Sequence, residues 1–183
     1  KLDKATKDRI RAAFLSPNPR IVASTKVLGL DVTSATAITA EDYKYVSTLG
    51  YFTPRTLPGA TVVTAPEVAD LLKKGGTLYD TRSAEEYNTR HIQGAKLLPY
   101  GEKSRKEVGF DDKADTFDVT KLPADKNAPV VFACNGAECW KSYKASLVAV
   151  KAGHKQVYWF RGGFPEWNLA GLPTQAVPGN LAK

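Results

Sequence analysis

The residues best suited to covalent chemistry are two cysteines, Cys134 and Cys139, which stand close together in the chain. Cys134 directly follows residues 129–133, a short, β-branched and apolar run that predicts a strand buried on both faces. The sequence after Cys139 has the apolar spacing of a helix. A strand, a tight loop and a helix start point backbone N–H groups at the first loop residue, which favours a thiolate there. Most free cysteines are small buried hydrophobes, so position alone leaves both interpretations of Cys134 open.

The composition is that of an ordinary globular protein of 183 residues, with 43% hydrophobic and 25% charged residues. This length predicts one domain, or one domain with a sizeable extension. The net charge is +7, and the Lys and Arg residues are scattered, which is typical of a solvated surface and can also attract small anions. Nucleic-acid binding is not expected, because no basic run is interleaved with aromatic residues. No run approaches the roughly 18 apolar residues of a membrane span.

The start of the chain bears on the cellular compartment. The sequence begins at Lys1 and contains no methionine. A removed signal peptide would explain this and predicts a periplasmic or secreted protein, with a trimmed cytoplasmic protein as the alternative. The two cysteines share one loop, so no disulfide framework decides between these locations.

Residues 1–59 are predicted to form a partly helical N-terminal extension without a chemical motif. Apolar residues fall on one face of a helix over residues 1–15. Short strands or packed coil are expected at residues 21–23 and 27–30, and a helix from an N-cap at Thr39 to about residue 49. The predicted role of this extension is packing or contact with a partner.

The rest of the chain alternates strictly between strands and helices. Capping boxes that begin at Thr64 and Ser83 open two helices, and residues 101–128 form a long polar surface excursion. Strands are predicted at residues 61–63, 78–80, 96–99, 129–133 and 156–160. This order predicts a mainly parallel sheet with helices on both faces, in which sites lie at the carboxyl ends of strands.

Four segments in this order resemble the signatures of the rhodanese superfamily of sulfurtransferases. They are the Asp-x-Arg strand end at residues 78–82, the segment 85–95 with its His-Ile-Gln-Gly-Ala end, the cysteine loop and helix start at 131–142, and the Gly-Gly-x-x-x-Trp segment at 162–167. The resemblance implies an α/β, rhodanese-like three-layer fold over residues 60–175. Residues 1–59 would then be the extension, of unknown role, and residues 176–183 a C-terminal tail.

The resemblance also implies an activity and a site. Cys134 would be the catalytic nucleophile, which takes a sulfane sulfur from a donor such as thiosulfate, forms a persulfide and passes the sulfur to a thiophilic acceptor. Glycine at position 136 would let the loop curl where a β-carbon would clash. The N–H groups of the active-site loop would cradle the persulfide and the anionic end of the donor. The loop residues are Asn135, Gly136, Ala137, Glu138, Cys139 and Trp140.

Other polar residues are candidates for support or for substrate binding. Asp80 is expected to fix loops by hydrogen bonds, and Arg82 to form a structural ion pair with Glu86 or a neighbour. Lys141, one turn into the helix, could instead attract an anionic donor. The same role is open to Lys144 and Arg161, and the alternative for each of these three residues is a solvated side chain. With only two histidines in the chain, neither a metal nor another cofactor is expected.

Two further functions remain open at this stage. The first is a thiol–disulfide redox protein that uses Cys134 and Cys139, since their α-carbons could fall within the roughly 4.4–6.8 Å range of a disulfide. The second is a rhodanese-fold sulfur carrier or interaction module. A cysteine phosphatase or arsenate reductase would need an arginine six residues after the nucleophile, where this chain has Trp140. The expected protein is a monomer with a small anionic donor and a thiol or cyanide-like acceptor, and a protein acceptor or redox partner is a further option.

Overall fold

The computed structural model describes residues 2–15 and 52–177. The chain divides into two compact units, residues 1–49 and 50–183. In the first unit, helix α1 spans Lys4–Leu15, which confirms the helix predicted there. Asp3 caps α1, because its carboxylate accepts a hydrogen bond from the Thr6 N–H at 2.8 Å. The short strands or packed coil predicted at residues 21–23 and 27–30, and the helix predicted after Thr39, lie outside the described residues.

The second unit alternates between strands and helices, as the sequence predicts. A short 3₁₀ helix, Val119–Lys121, lies within residues 101–128. The strands are β1 Thr61–Val62, β2 Thr77–Asp80, β3 His91–Ile92, β4 Lys96–Leu97, β5 Val130–Ala133, β6 Val157–Phe160 and β7 Thr174–Gln175. The α-helices are α2 Ala65–Lys73, α3 Ala84–Thr89, α4 Trp140–Lys151 and α5 Gly163–Leu169.

Five strands form one parallel sheet in the order β1-β6-β5-β2-β4. The central strand β5 pairs with β2 on one side and β6 on the other, with Ala133 in register with Asp80 and Phe160. The carboxyl ends of β2, β5 and β6 therefore meet at one edge of the sheet. Strand β3 pairs with β7 in a separate antiparallel pair, although residues 91–95 on their own have the sequence of a turn.

Side chains of β5 alternate between two cores, because successive residues of a strand point to opposite faces. Val130 and Phe132 pack on the face that α4 covers, with Ala145 and Ala149 of that helix. Val131 and Ala133 pack on the other face with α2 and α5. Helices on both faces of a parallel sheet give the three-layer α/β fold that the sequence predicts. None of the helices within residues 2–15 and 52–177 is long and apolar enough to cross a membrane.

The predicted surface excursion, residues 101–128, is less exposed than its polar sequence indicates. Phe110 and Leu122 are buried, and Phe110 packs with Trp140 and Tyr143 of α4. The segment is therefore attached to the helix that follows the cysteine loop. Its polar composition hides this attachment because the apolar anchors are few and far apart.

Candidate active site

Cys134 lies at the carboxyl end of the central strand, directly after Ala133. Its side chain is buried, at 1% exposed. The neighbouring strand end contributes to its support, because Thr81 donates from both its N–H and its hydroxyl to the Ala133 carbonyl, each at 2.9 Å. Cys134 thus occupies the edge of a parallel sheet where sites of this fold class are found.

The loop Cys134–Cys139 curls back on itself before α4 begins. Gly136 has φ +102°, a backbone conformation that favours glycine, and the Cys139 N–H donates to the Gly136 carbonyl at 3.0 Å. A β-carbon at position 136 would meet Gly162 O at 3.5 Å, which is ordinary contact. The reason for glycine here is therefore the positive φ and not the clash that the sequence suggested.

The two cysteines of the loop are joined in a disulfide. Their α-carbons lie 6.1 Å apart, within the range of such bonds. Cys139 is also the N-cap residue of α4, so the bond connects the end of β5 to the start of the helix. The prediction that the pair is close enough to bond is confirmed.

Helix α5 lies directly against the loop. The Phe164 N–H donates to the Cys134 carbonyl at 2.8 Å. Gly163 has φ +58°, and a β-carbon there would fall 2.9 Å from the carbonyl carbon of Cys134 and 2.8 Å from the Gly136 nitrogen. Only glycine fits here, which explains the second glycine of the Gly-Gly-x-x-x-Trp segment.

A segment before β1 holds the middle of the loop. Thr53 is buried and donates to the Ala137 carbonyl from its N–H at 2.9 Å and from its hydroxyl at 2.7 Å. Arg161 in turn donates to the carbonyls of Thr53 and Pro54, at 2.8 and 2.9 Å. The sequence predicts that Thr53 and Pro54 lie in an extension without a chemical motif, and no sequence pattern indicates their contact with the loop. Arg161 thus has a structural contact that the sequence did not indicate, and its predicted role in attracting a donor stays a prediction.

Helix α3 contacts the loop through Glu86. The Asn135 amide donates to one carboxylate oxygen of Glu86, and the Ser83 N–H and hydroxyl donate to the other, at 3.0 and 2.9 Å. Burial alone would raise the pKa of Glu86, but the bonds from Asn135 and Ser83 outweigh it and lower that pKa. The capping box predicted at Ser83 therefore also positions a partner for the loop.

Asp80 and Arg82 form a buried ion pair at the end of β2, with both side chains 5% exposed. Arg82 donates to Asp80 from Nε at 3.0 Å and from an Nη at 2.7 Å, and the same Nη also reaches the Arg90 carbonyl at 2.8 Å. The guanidinium stacks 4.4 Å from the centre of the Phe164 ring. Asp80 thus fixes loops, as the sequence predicts, and Arg82 has the predicted structural role with Asp80 as its partner.

A pocket of about 260 Å³ opens beside Cys139 and not beside Cys134. Lys141 is half-buried and lies in its wall, and its role in attracting a donor stays a prediction. Its lining carries charges of both signs. The lining residues are Glu102, Lys106, Asn135, Glu138, Cys139, Trp140 and Lys141. A larger pocket, of about 470 Å³, is lined by Arg82, Glu85, Glu86, Thr89, Arg90 and Phe164 and does not reach either cysteine.

Lys144 does not have either of the roles that the sequence predicts for it. Its side chain is 0% exposed, so it neither attracts a donor from solvent nor lies in water. Its Nζ lies 2.8 Å from Glu102 and 3.5 Å from Asp115, and it donates to the Ser104 hydroxyl at 2.8 Å. The lysine therefore ties α4 to residues 101–116.

Asp115 is the other fully buried charge of this group. Burial alone would raise the pKa of Asp115, but hydrogen bonds from Ser104 and Lys103 outweigh it and hold that pKa well below its usual range. Tyr100 also donates to this carboxylate at 2.9 Å, and burial together with that bond raises the pKa of the phenol. Asp115 is thus held as an anion next to Lys144.

Within residues 2–15 and 52–177, no cluster of three or more His, Cys, Asp or Glu side chains could hold a metal ion. The side chains that contact the cysteine loop are hydrogen-bonding and packing groups. The chemistry that this arrangement supports is that of the Cys134 and Cys139 sulfurs.

Comparison with known proteins identifies relatives of the second unit. The sequence matches the rhodanese-like domain family over residues 64–170. It is 28% identical over 120 residues to the chloroplastic thiosulfate sulfurtransferase 16 of Arabidopsis thaliana, covering 66% of this chain and 95% of that protein. It is 34% identical over 98 residues to an HTH-type transcriptional regulator of Mycobacterium tuberculosis, covering 54% of this chain and 37% of that protein.

Among solved structures, the crystal structure of a thiosulfate sulfurtransferase from Pseudomonas aeruginosa is similar, with 26% identity and a TM-score of 0.47. The match covers 64% of this chain and 20% of that one, so the chain spans only part of some of its relatives. The family match covers more than half of the chain and includes the central strand, the cysteine loop and the helix after it. On this basis, the protein belongs to the rhodanese-like domain family.

Proposed function

We propose that this protein is a sulfurtransferase that moves sulfane sulfur from a small anionic donor, such as thiosulfate, to a thiol or cyanide-like acceptor. The observation that carries the proposal is the position of Cys134 at the carboxyl end of the central parallel strand, on a curled loop that leads into a helix. Family membership and a relative named as a thiosulfate sulfurtransferase support it.

The proposed reaction has two steps, and Cys134 carries the intermediate. The Cys134 thiolate attacks the outer sulfur of thiosulfate, the S–S bond of the donor breaks, and sulfite leaves with the bonding electron pair. An acceptor such as cyanide then attacks the outer sulfur of the persulfide and leaves as thiocyanate, which regenerates the thiolate. Splitting one transfer into two displacements is the usual advantage of covalent catalysis.

The disulfide between Cys134 and Cys139 must open before this reaction can begin. A sulfur in a disulfide cannot act as a thiolate nucleophile, since the thiolate is the attacking form. We therefore expect the oxidised protein to be inactive in sulfur transfer and the reduced protein to be active.

The test is the intact mass of the reduced, desalted protein before and after incubation with thiosulfate. The proposal predicts a gain of one sulfur atom that cyanide removes, together with the formation of thiocyanate. Cys134→Ser should show neither, whereas the matched control Cys139→Ser should retain both, because it keeps the nucleophile. A Cys134→Ser variant with activity within a few-fold of the parent would reject the assignment.

A thiol–disulfide redox function is the second candidate, and the observation that favours it is the Cys134–Cys139 bond itself. This function would be distinguished by thiol–disulfide exchange between the protein and added thiols, without any gain of sulfur from thiosulfate. The same bond is what an oxidising compartment would maintain, so we also propose a periplasmic or secreted location.

A further inference from the structure

We infer that, in the disulfide form, the reducing thiol attacks Cys139 and not Cys134, and that it enters through the pocket beside Cys139. The inference rests on the proposed function, because it describes how the nucleophile of that function is released and treats that nucleophile as the leaving group. The bond would then open in one direction, with Cys139 as the sulfur that receives the incoming thiol and Cys134 as the leaving thiolate.

The first argument is unequal access to the two sulfurs. Cys134 is 1% exposed, and its loop is held by backbone hydrogen bonds from Phe164 of α5 and from Thr53. Cys139 is half-buried and contributes to the wall of the pocket of about 260 Å³. Because thiol–disulfide exchange depends on which sulfur the attacking thiolate can reach, the structure favours attack on Cys139.

The second argument concerns the leaving group. Exchange is faster when the departing sulfur is the more stable thiolate. If Cys134 is the thiolate of the proposed function, its departure is favoured for the same reason that makes it a nucleophile. Attack on Cys139 therefore uses the accessible sulfur as the target and the better leaving group as the product.

The charges of the pocket indicate the class of thiol. Lys106 and Lys141 place two cationic side chains in its wall, and Glu102 and Glu138 place two anionic ones. Glu102 is paired with Lys144 at 2.8 Å, but its Oε1 receives no hydrogen bond of ordinary geometry from the described residues. A wall with both signs suits a small thiol that carries an ammonium and a carboxylate, that is, an amino-acid thiol, better than a purely anionic one.

The reaction balances as two exchanges. An incoming thiolate R–S⁻ bonds to the Cys139 sulfur, the Cys134–Cys139 bond breaks, and Cys134 leaves as a thiolate. A second R–S⁻ then attacks the R sulfur of the mixed disulfide, which releases R–S–S–R and the Cys139 thiolate. Two thiols are oxidised to one disulfide, and the disulfide of the protein is reduced to two thiols.

The test traps the first intermediate in the full chain. Protein oxidised with diamide is mixed briefly with cysteine, quenched with acid, and capped with N-ethylmaleimide. Cleavage after Glu138 separates the two cysteines into different peptides, because this glutamate lies between them. We expect cysteine bound to Cys139 and N-ethylmaleimide on Cys134, in at least about tenfold excess over the reverse arrangement.

The matched control is the same oxidised protein unfolded in urea, in which access no longer differs and both peptides should carry the adduct. An adduct on Cys134, or an even distribution in the folded protein, would overturn the inference. Two free thiols that persist after diamide would overturn it as well. Since the persulfide test uses reduced protein, a gain of sulfur with the wrong adduct position would reject only this inference. The correct adduct position without any gain of sulfur would reject the proposed function instead.

The thiol class is tested by initial rates of disulfide opening with cysteine, cysteamine, 3-mercaptopropionate and 2-mercaptoethanol. Each rate is divided by that of the urea-unfolded protein, which removes the intrinsic reactivity of the thiol. Cysteine should be preferred by about three- to tenfold, the factor that two exposed ion pairs supply. Lys141→Gln and Glu138→Gln should each reduce this preference, and Lys155→Gln, beyond the far end of α4, should not. A preference for 3-mercaptopropionate would overturn the assignment of the thiol class.

Discussion

The two sides of the cysteine loop are held by different kinds of buried charge. On the α3 side, Asp80 and Arg82 pair two positions apart at the end of one strand. On the α4 side, Lys144 pairs with the carboxylates of Glu102 and Asp115. It also donates to the hydroxyl of Ser104, which lies 40 positions earlier in the chain. The ion pair on the first side is local in the sequence, whereas the ion pairs on the second side join distant parts of the chain.

This difference has a physical consequence for stability. An ion pair between neighbours in sequence forms with little loss of chain entropy, whereas a distant pair requires a long loop to be closed first. In both cases the charges are removed from water, so loss of one partner leaves the other uncompensated. We therefore expect Lys144 both to attach residues 101–116 to α4 and to balance the buried carboxylate charge.

The largest predicted effect is that of Lys144→Met. The change leaves the carboxylate of Asp115, 0% exposed, without its buried cation, which should cost about 3–5 kcal/mol in the free energy of unfolding. Urea denaturation measures this loss, and amide hydrogen exchange should show residues 101–116 losing protection first. The exposed Lys155→Met is the control and should change stability by no more than about 0.5 kcal/mol. A loss below about 1 kcal/mol for Lys144→Met would mean that the cluster is not a buried charge network.

An intermediate effect is predicted where α5 touches the loop, at Gly163→Ala. Gly163 and Gly171 both have positive φ, +58° and +66°, so alanine is strained at either position. A β-carbon at position 171 would meet no described atom within 4 Å, whereas at 163 it would press on the backbone of Cys134 and Gly136. The substitution at 163 should thus cost about 1–3 kcal/mol more than the one at 171.

The two glycine variants also separate stability from function. Gly163→Ala should reduce sulfur transfer by the reduced protein, because it displaces the backbone of the nucleophile. Gly171→Ala should leave transfer unchanged under conditions where both variants are folded. Equal losses of stability and of transfer in the two variants would show that strain in φ, and not contact with the loop, explains glycine at 163.

Local patterns were sufficient to predict the framework and the position of Cys134 at the end of a central strand. Strand and helix order, the capping boxes at Thr64 and Ser83, and the Asp80–Arg82 strand end are encoded within a few residues. The roles of Cys134 and the other loop residues stay predictions, but their placement at a strand end was foreseeable.

Contacts across long separations were not foreseeable. Lys141 and Lys144 look alike in the sequence, three positions apart at the start of one helix, yet one lines a pocket and the other is fully buried. Residues 101–116, which bury Lys144, carry no periodic pattern that indicates it. Likewise, Thr53 bonds to Ala137 across 84 positions, and no local sequence pattern indicates a contact between two segments so far apart.

The smallest predicted effect is a difference between the α3 and α4 sides in how the free energy of unfolding depends on pH. Asp115 and Glu86 both have lowered pKa values, so each binds a proton more readily in the unfolded chain than in the folded one. Their stabilising contributions are therefore present above the ordinary carboxyl pKa and are lost as the pH falls below it. Because the pKa of Asp115 is the more strongly lowered and its side chain is 0% exposed, acid should remove more stability from the α4 side than from the α3 side. From pH 5 to pH 3, its share of the loss should be about 1 kcal/mol.

The measurement is the free energy of unfolding at several pH values in that interval, for the wild type, Asp115→Asn and Glu86→Gln. Each variant loses one titrating carboxyl, so the slope of stability against pH should become shallower, and more so for Asp115→Asn. The absolute stability of Asp115→Asn will be lower at neutral pH, since Lys144 loses a partner, but the slope is independent of that offset. A steeper change of slope in Glu86→Gln would place the acid-sensitive contact on the α3 side, and an unchanged slope in Asp115→Asn would show that this carboxylate does not link proton binding to folding.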